Sequence, residues 1–340
     1  MTGAGNLVVA PTGGPTCVIN NSLRGTIQVM AKILVTPRSL TSAGHPALED
    51  LPAAGYEVIF SSPGQQPTEE ELIDLLPGCV GYLAGVEKVT ARALEAARDL
   101  RVISRNGAGI DNIDLEAARR RNIRVLPARG ANARGVAELT IGLLLCLARS
   151  IPLGDHTVKE GRWQRCKGTE LEGKTLGLIG CGRIGREVAR MALGIGMNVV
   201  ACDLFPDTAF NPGARFRFAS LDEVIGQSDF LSLHCPPAAD GKPVIDESAF
   251  GRMKRGVYLV NTARHDLVDV AALARQLEKR HVAGAAFDVF DAEPPTNRTL
   301  AENERVVATP HVGAFTKESV DRAVRMAVNN LLEALREMEI

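Results

Sequence analysis

An α/β fold with two parallel-sheet units in tandem is what this sequence predicts. Two observations carry it: short apolar runs alternate with amphipathic stretches from Lys32 onward, and the alternation restarts after a long helical segment in mid-chain. With 340 residues, the chain also exceeds what one hydrophobic core usually organises. The first series is KILVT, YEVIF, CVGYLAG and LRVIS, separated by helix-like stretches in the manner of βαβ crossovers. The second begins near Thr175 with TLGLIG and runs through NVVACD, DFLSLHC, GVYLVN, VAGAAFDV and RVVATP. Between them, NARGVAELTIGLLLCLARSI is apolar over a wide helical stripe and predicts a long buried helix. Its width suits either packing within the chain or a subunit interface, and periodicity does not separate the two. Lys317 to Glu337 predicts a final amphipathic helix that returns to the first unit. Val320, Ala323, Val324, Met326, Ala327, Leu331 and Leu332 stand on its inner side. Residues 1–30, rich in Gly, Thr, Pro and Asn, are expected to be a flexible extension, with Met30 an alternative start.

Composition narrows the function. A formal net charge of −1, with acids and bases interspersed, builds no positive field for nucleic acid or an anionic membrane. Seven scattered cysteines (Cys17, Cys79, Cys146, Cys166, Cys181, Cys202 and Cys235) without a CxxC pair suit reduced thiols in a cytoplasmic protein and give no metal site. Cys235 follows an apolar strand and precedes two prolines, which fits a buried or loop thiol better than a nucleophile. The longest apolar stretch, Leu139 to Ala148, is too short to span a bilayer, and the first thirty residues lack a signal peptide's basic start and apolar run.

The most informative motif is Gly180-Cys181-Gly182-Arg183-Ile184-Gly185, a GxGxxG directly after a strand pattern and opening a helix. Gly180 permits the tight turn. Gly182 lets the backbone approach a pyrophosphate, and Gly185 lets the helix pack close to the strand. The phosphates would meet that helix's N-terminus, where free N–H groups favour negative charge. Asp203 ends the next strand, where a carboxylate accepts from a ribose 2′-hydroxyl and repels a 2′-phosphate. Leu204, Phe205 and Pro206 follow without a basic residue, so NAD is expected rather than NADP. RNGAGIDN, Arg105 to Asn112, lacks a third glycine and is expected to be a turn facing the cleft, either structural or in contact with substrate.

Beyond the nucleotide motif, VNTARHDLVD, AAFDVFDAEPP and ATPHVGAF each place polar residues just past an apolar strand, the rim where open α/β sheets bind ligands. Arg264, Glu293 and His311 are the residue types that keto acid reduction needs: a cation for a carboxylate, an acid, and a proton donor held charged by it. Each also has a bland role. Arg264 pairs readily with Asp266 or Asp269, His311 with a helix end, and Glu293 with solvent.

Together, GCGRIG with Asp203, NTAR, FDVFDAEP and TPHVG resemble the D-isomer-specific 2-hydroxyacid dehydrogenase family, in particular its phosphoglycerate dehydrogenase-like branch, over nearly everything from Lys32 onward. The resemblance implies two Rossmann-like doubly wound domains with a cleft between them, the nucleotide domain inserted into the substrate domain. Residues 31–128 and 312–340 would form the substrate domain. Residues 129–311 would form the NAD-binding domain with the long helix, around which a homodimer is built. It further implies that Arg264 grips the substrate carboxylate and 2-oxygen. His311 then exchanges a proton with that oxygen, and Glu293 pairs with the imidazole. Asp288 would hold the nicotinamide carboxamide, while Thr262 and the Cys235-Pro236 turn line the cofactor cleft through backbone. NAD is the implied cofactor, and a small D-2-hydroxy acid or 2-keto acid the implied substrate.

Two departures stand out. His265 and Asp266 replace the glycines usual after NTAR; His265 is thereby a rival to His311 as proton donor, but a perturbed loop is the preferred reading because TPHVG is intact. In place of the Arg-Ser of phosphoglycerate dehydrogenases, the first-domain loop carries Ala84-Gly85-Val86-Glu87-Lys88. Ala84 and Gly85 would offer backbone N–H groups to a carboxylate. Lys88 and Arg105 are left to compensate for the missing cation, with Gly107 beside them. The chain ends after the returning helix, so no C-terminal regulatory domain is expected. 3-Phosphoglycerate, hydroxypyruvate and glyoxylate all fit. Formate fits less well, because Glu293 remains acidic. The competing class is an NAD(H)-sensing interaction protein resembling the family's corepressors, which binds nucleotide with little turnover.

Overall fold

The computed structural model describes residues 30–238 and 240–338, so the expectation for the segment before Met30 lies outside the described residues. The first sheet contains β1 (Lys32–Val35), β2 (Glu57–Phe60), β3 (Cys79–Ala84), β4 (Val102–Arg105) and β5 (Arg124–Pro127) in the order β2-β1-β3-β4-β5. All its pairings are parallel. The second contains β6 (Thr175–Ile179), β7 (Asn198–Cys202), β8 (Phe216–Phe218), β9 (Phe230–Leu233), β10 (Val257–Asn261), β11 (Val282–Phe287) and β12 (Val306–Ala308). It is parallel throughout, in the order β12-β11-β10-β9-β6-β7-β8. Strand order reverses between β6 and β9, which opens a crevice at the carboxyl ends of those strands.

Two strands, β5 and β8, add to the sequence expectation. Both lie at sheet edges and are partly exposed, so neither needs an apolar run: RVLP stops at a proline, and FRF puts an arginine between its aromatics.

The long helix spans Ala133–Arg149 and buries Val136, Ala137, Leu143, Leu144, Leu147 and Ala148. It packs on the second sheet and on the helix Arg183–Gly194, which contributes Val188, Ala189 and Ala192. Burial follows one wide stripe, as expected, and leaves Leu145 on the outer face 41% exposed. At Ser150 the backbone turns left-handed (φ 51°) and bends 64° into a second helix, Ile151–Lys159. Ile151, Val158 and the following Trp163 are exposed, the last by 85%. Among the described residues no single helix is long and apolar enough to cross a membrane.

The C-terminal helix, Lys317–Glu337, starts at Thr316, whose Oγ1 accepts from Ser319 N at 3.1 Å. It lies on the first sheet, where Val324, Ala327, Val328, Leu331 and Leu335 pack with Ile33, Val35, Leu83 and Val102. Ser104 Oγ donates to Ala327 O at 2.7 Å beneath it. The inner face is rotated from the expected one: Val328, Leu335 and Ser319 are buried, while Val320, Ala323 and Met326 are only half-buried. A hydroxyl suits position 319 because Gly135 of the long helix comes close; a Cβ there would lie 2.7 Å from Ser319 Oγ. The chain therefore crosses between the sheets twice, after β5 and again after β12.

Candidate active site

The glycine turn joins β6 to the helix Arg183–Gly194, and each glycine has a separate steric reason. Gly180 has φ +95°, and a Cβ on it would stand 2.6 Å from the His234 carbonyl and 2.7 Å from Cys235 N. Across the turn, a Cβ on Gly185 would stand 2.3 Å from Gly180 O. Gly182 is exposed with nothing within 4 Å of its would-be Cβ, so the backbone there faces open space at a helix N-terminus. Asp203, at the end of β7, accepts from Cys181 N (2.7 Å) and Phe205 N (2.9 Å). One lone pair on each oxygen is left for a ribose hydroxyl. Arg183 folds over Gly130 and donates to Arg129 O at 3.2 Å, while Ile184 follows in the helix's first turn. Cys181, Cys202 and Cys235 surround this turn. Burial pushes each thiol up to about 11, so Cys235 is a neutral thiol and not an activated nucleophile. Thr262 turns its hydroxyl away to Thr140 (3.1 Å), leaving its backbone for the cleft.

Arg264, Asp288 and His311 follow β10, β11 and β12 respectively, at the carboxyl edge of the second sheet. His311 Nδ1 donates to Glu293, with distances of 2.9 and 2.8 Å to the two carboxylate oxygens, which leaves Nε2 as the ring's other nitrogen. Both side chains are about half exposed. The backbone of His311 is left-handed (φ 53°), a conformation that needs support in a residue with a Cβ. Asp288 provides it. Only 2% exposed, it accepts from Thr309 Oγ1 (2.6 Å), Val312 N (2.8 Å) and Gly313 N (2.8 Å), on both sides of the histidine. The carboxylate assigned by resemblance to the nicotinamide carboxamide thus faces the His311 loop, a contact no local pattern announced. His265, the competing proton donor, opens a short 3-10 turn, His265–Leu267, whereas His311 holds the carboxylate.

Arg264 pairs with neither Asp266 nor Asp269; the latter caps the helix Val270–Glu278. Its partner is Asp111, on the loop after β4, with Nη2 at 2.8 Å and Nε at 3.3 Å from Oδ2. Nearby, Arg105 is half-buried, lies against Gly107 (φ +149°) and donates through Nη1 to Asn106 O. Its Nε is buried without a partner among the described residues. Burial lowers the guanidinium's pKa; Glu87 and Asp111 act against that, Arg264 with it.

The loop after β3 corrects one expectation. Ala84 is fully buried, and the Gly85 N–H turns inward to Glu87 Oε1 (2.7 Å) and Thr36 Oγ1 (3.3 Å), so this pair does not present its donors to a ligand. Glu87 is the reason. It is 1% exposed, and it also accepts from Tyr82 OH at 2.5 Å and from Thr36 Oγ1. Burial, then the charge of Glu87, holds the Tyr82 pKa well above its usual value, keeping the phenol a donor. The acid of this loop is thus a buried anchor beneath the cleft. Lys88 is exposed, and its charge acts on Glu69.

A seven-stranded doubly wound sheet, an open glycine turn and an acid–base pair on the same edge define a dinucleotide-binding α/β protein. Residues 141–313 match the family model for the D-isomer specific 2-hydroxyacid dehydrogenase, NAD binding domain. D-3-Phosphoglycerate dehydrogenase of Rattus norvegicus is 41% identical over 298 residues, which is 86% of this chain and 54% of that protein. Hydroxypyruvate reductase of Thermotoga maritima is 41% identical over 274 residues, 78% of this chain and 88% of that protein. Among solved structures, a Thermus thermophilus protein superposes with a TM-score of 0.81 at 36% identity, covering 90% of this chain and 97% of the other. D-Lactate dehydrogenase of Aquifex aeolicus, complexed with NAD and lactic acid, gives 0.76 at 28% identity, covering 90% and 96%. The chain belongs to the D-isomer specific 2-hydroxyacid dehydrogenase family. NAD is its cofactor, as the family model and the open Gly182 turn with Asp203 agree. The chain spans about half the length of the D-3-phosphoglycerate dehydrogenases it matches.

Proposed function

We propose that this protein is an NAD-dependent oxidoreductase that interconverts a small D-2-hydroxy acid and its 2-keto acid. The observation that carries the reading is the His311–Glu293 pair, set on the sheet edge that holds the glycine turn and Arg264. NAD would lie with its pyrophosphate over Gly182 to Ile184 and its ribose on Asp203. Cys235, Pro236 and Thr262 would line its path, and Asp288 would act through the His311 loop. When bound, the nicotinamide supplies or accepts the hydride at C2. Arg264 holds the substrate carboxylate and the 2-oxygen. In reduction, His311 Nε2 gives its proton to the carbonyl oxygen as C2 gains the hydride; in oxidation it takes that proton back. Glu293 fixes the ring so that Nε2, not Nδ1, meets the substrate.

The substrate class we favour is an unphosphorylated keto acid such as hydroxypyruvate or glyoxylate. The one cation of the loop Ala84 to Lys88, Lys88, is exposed and its charge acts on Glu69, and the hydroxypyruvate reductase relative is matched over most of its length. Arg105 and Gly107 complete the substrate side in this reading. Residues 31–128 with 312–340, and 129–311, are the two domains. A homodimer in the cytoplasm is part of the proposal: Leu145, Ile151, Val158 and Trp163 expose apolar surface along the bent helix pair and the segment that follows it. Dehydrogenase names among the relatives favour turnover over nucleotide sensing.

The test is NADH oxidation against hydroxypyruvate, glyoxylate, pyruvate and phosphohydroxypyruvate. His311→Asn is expected to lower kcat by about 10²–10⁴ with NADH affinity unchanged. Tight NADH binding without turnover of any of these acids would reject the proposal.

A further inference from the structure

We propose that Asp111 is a positioning residue for Arg264: it fixes the rotation of the guanidinium from across the cleft and so decides which of its N–H groups meet the substrate. The inference rests on the function proposed above and adds to it a residue that sequence reasoning passed over.

The donor count supports it. A guanidinium has five N–H groups. Nε–H and one Nη2–H go to Asp111 Oδ2 (3.3 and 2.8 Å), and one Nη1–H goes to Ala263 O at 2.7 Å. One N–H remains on each terminal nitrogen, the pair that a planar carboxylate, or a carboxylate and an adjacent carbonyl oxygen, accepts side by side. Without Asp111 the one anchor left among the described residues is the backbone carbonyl of the preceding residue, about which the fork can swing.

The surrounding chain is built around this contact. A Cβ on Gly109 would lie 2.7 Å from Arg264 Nη2 and 3.3 Å from Asp111 Oδ2, so the absence of a side chain at 109 makes the approach possible. The adjoining Asn112 ties the same loop to the Ala84–Lys88 loop: its Nδ2 donates to Glu87 O at 2.6 Å and to Gly85 O at 3.3 Å, and its carbonyl accepts from Val89 N at 2.8 Å. Asp111 and Asn112 therefore couple the floor of the first-sheet side to the carboxylate-gripping arginine of the second. The ion pair itself is exposed, 40% at Arg264 and 72% at Asp111, so it contributes little to stability and its removal leaves the fold intact.

The experiment measures KM and kcat for the best keto acid, and the dissociation constant of oxamate from the NADH-loaded protein, in wild type, Asp111→Ala, Asp111→Asn and Gly109→Ala. Asparagine retains an acceptor oxygen; alanine does not. Asp111→Ala and Gly109→Ala are expected to raise KM and the oxamate constant about tenfold, with kcat changed less than threefold and NADH affinity and melting temperature unchanged. Asp111→Asn is expected to recover to within about threefold of wild type. Equal constants in all four proteins would overturn the inference, as would an asparagine variant as defective as alanine. Tighter keto acid binding in both Asp111 variants would instead make the carboxylate a competitor of the substrate, which also overturns it. A wild-type protein that oxidises NADH with no keto acid rejects the proposed function, and the oxamate measurement then still reports separately on Asp111.

Discussion

Two methyl groups added three residues apart on the glycine turn separate its folding role from its binding role. In Gly185→Ala the new Cβ stands 2.3 Å from Gly180 O and 3.2 Å from Gly180 C, where ordinary contact begins near 3.4 Å. That oxygen belongs to a turn residue at φ +95°, so the helix Arg183–Gly194 must shift by about 1 Å. Overpacking of this kind costs about 1–3 kcal/mol. The helix preference of alanine over glycine returns about 1 kcal/mol. A backbone clash this close lies at the upper end of that range, so the net loss of about 2 kcal/mol lowers Tm by about 4–8 °C for a domain of this size. In Gly182→Ala nothing lies within 4 Å and φ is −75°, which alanine adopts freely. The folded state is untouched, and reduced freedom of the unfolded chain leaves Tm equal or slightly higher. Its Cβ projects into the open face over which a pyrophosphate passes. Losing one charged backbone hydrogen bond of about 1.5–3 kcal/mol raises the NADH dissociation constant about tenfold to a hundredfold. Thermal melts and NADH fluorescence titrations of the two variants read these effects. A Gly182→Ala protein that binds NADH like wild type, or a Gly185→Ala protein that melts with it, would refute the reasoning.

Glu87→Ala removes the acceptor shared by Tyr82 OH, Thr36 Oγ1 and the Gly85 N–H in a buried site, leaving them the longer contacts of 3.3–3.4 Å through Thr36, and is expected to cost about 3 kcal/mol in urea unfolding, with Glu87→Gln losing less than half of that; an alanine variant as stable as wild type would show that water replaces the acid. His234 sets an acid limit. Burial of its ring pushes the imidazole down to about 3, and Nε2 lies 2.9 Å from Ser232 Oγ. A depressed histidine stays neutral when folded while the unfolded chain takes a proton below about 6.5, so its stability contribution is full above that pH and is lost progressively toward 3. Between pH 7 and 5 the wild type should lose about 2 kcal/mol that His234→Asn does not, and parallel unfolding curves for the two proteins would count against this assignment.

What could be read from the sequence was whatever a few consecutive residues decide. The glycine turn was legible because its spacing directly after a strand and before a helix lies in six consecutive residues, although the backbone that Gly180 meets, at His234 and Cys235, comes from a distant strand end; Asp203 was legible because a strand end fixes its place. The C-terminal helix was legible in extent, since Lys317–Glu337 carries one continuous apolar stripe; its inner face was not, since that depends on where a twisted sheet and Gly135 press against it. β5 and β8 escaped because an edge strand has only one neighbour and need not be apolar. The partner of Arg264 escaped for a different reason. Asp111 is 153 residues away in the chain, and two nearer acids, Asp266 and Asp269, made better local candidates. Glu87 was visible as an unusual residue, but nothing periodic in a five-residue loop says whether a side chain turns down into the core or up toward the cleft.

The second crossing of the chain, from β12 back to the helix on the first sheet, has a consequence for how the two halves can move. A single tether behaves as a ball joint, whereas two tethers at separate points act as the pins of a door: rotation about the line through both is cheap, and twisting or sliding strains the backbone at one of them. Any closure of the cleft would thereby be confined to one axis by chain connectivity alone. A protease that nicks either crossing frees no fragment, yet it turns the door back into a ball joint, so a nicked molecule should keep its mass and its melting behaviour while Asp111 is no longer held in fixed register against Arg264.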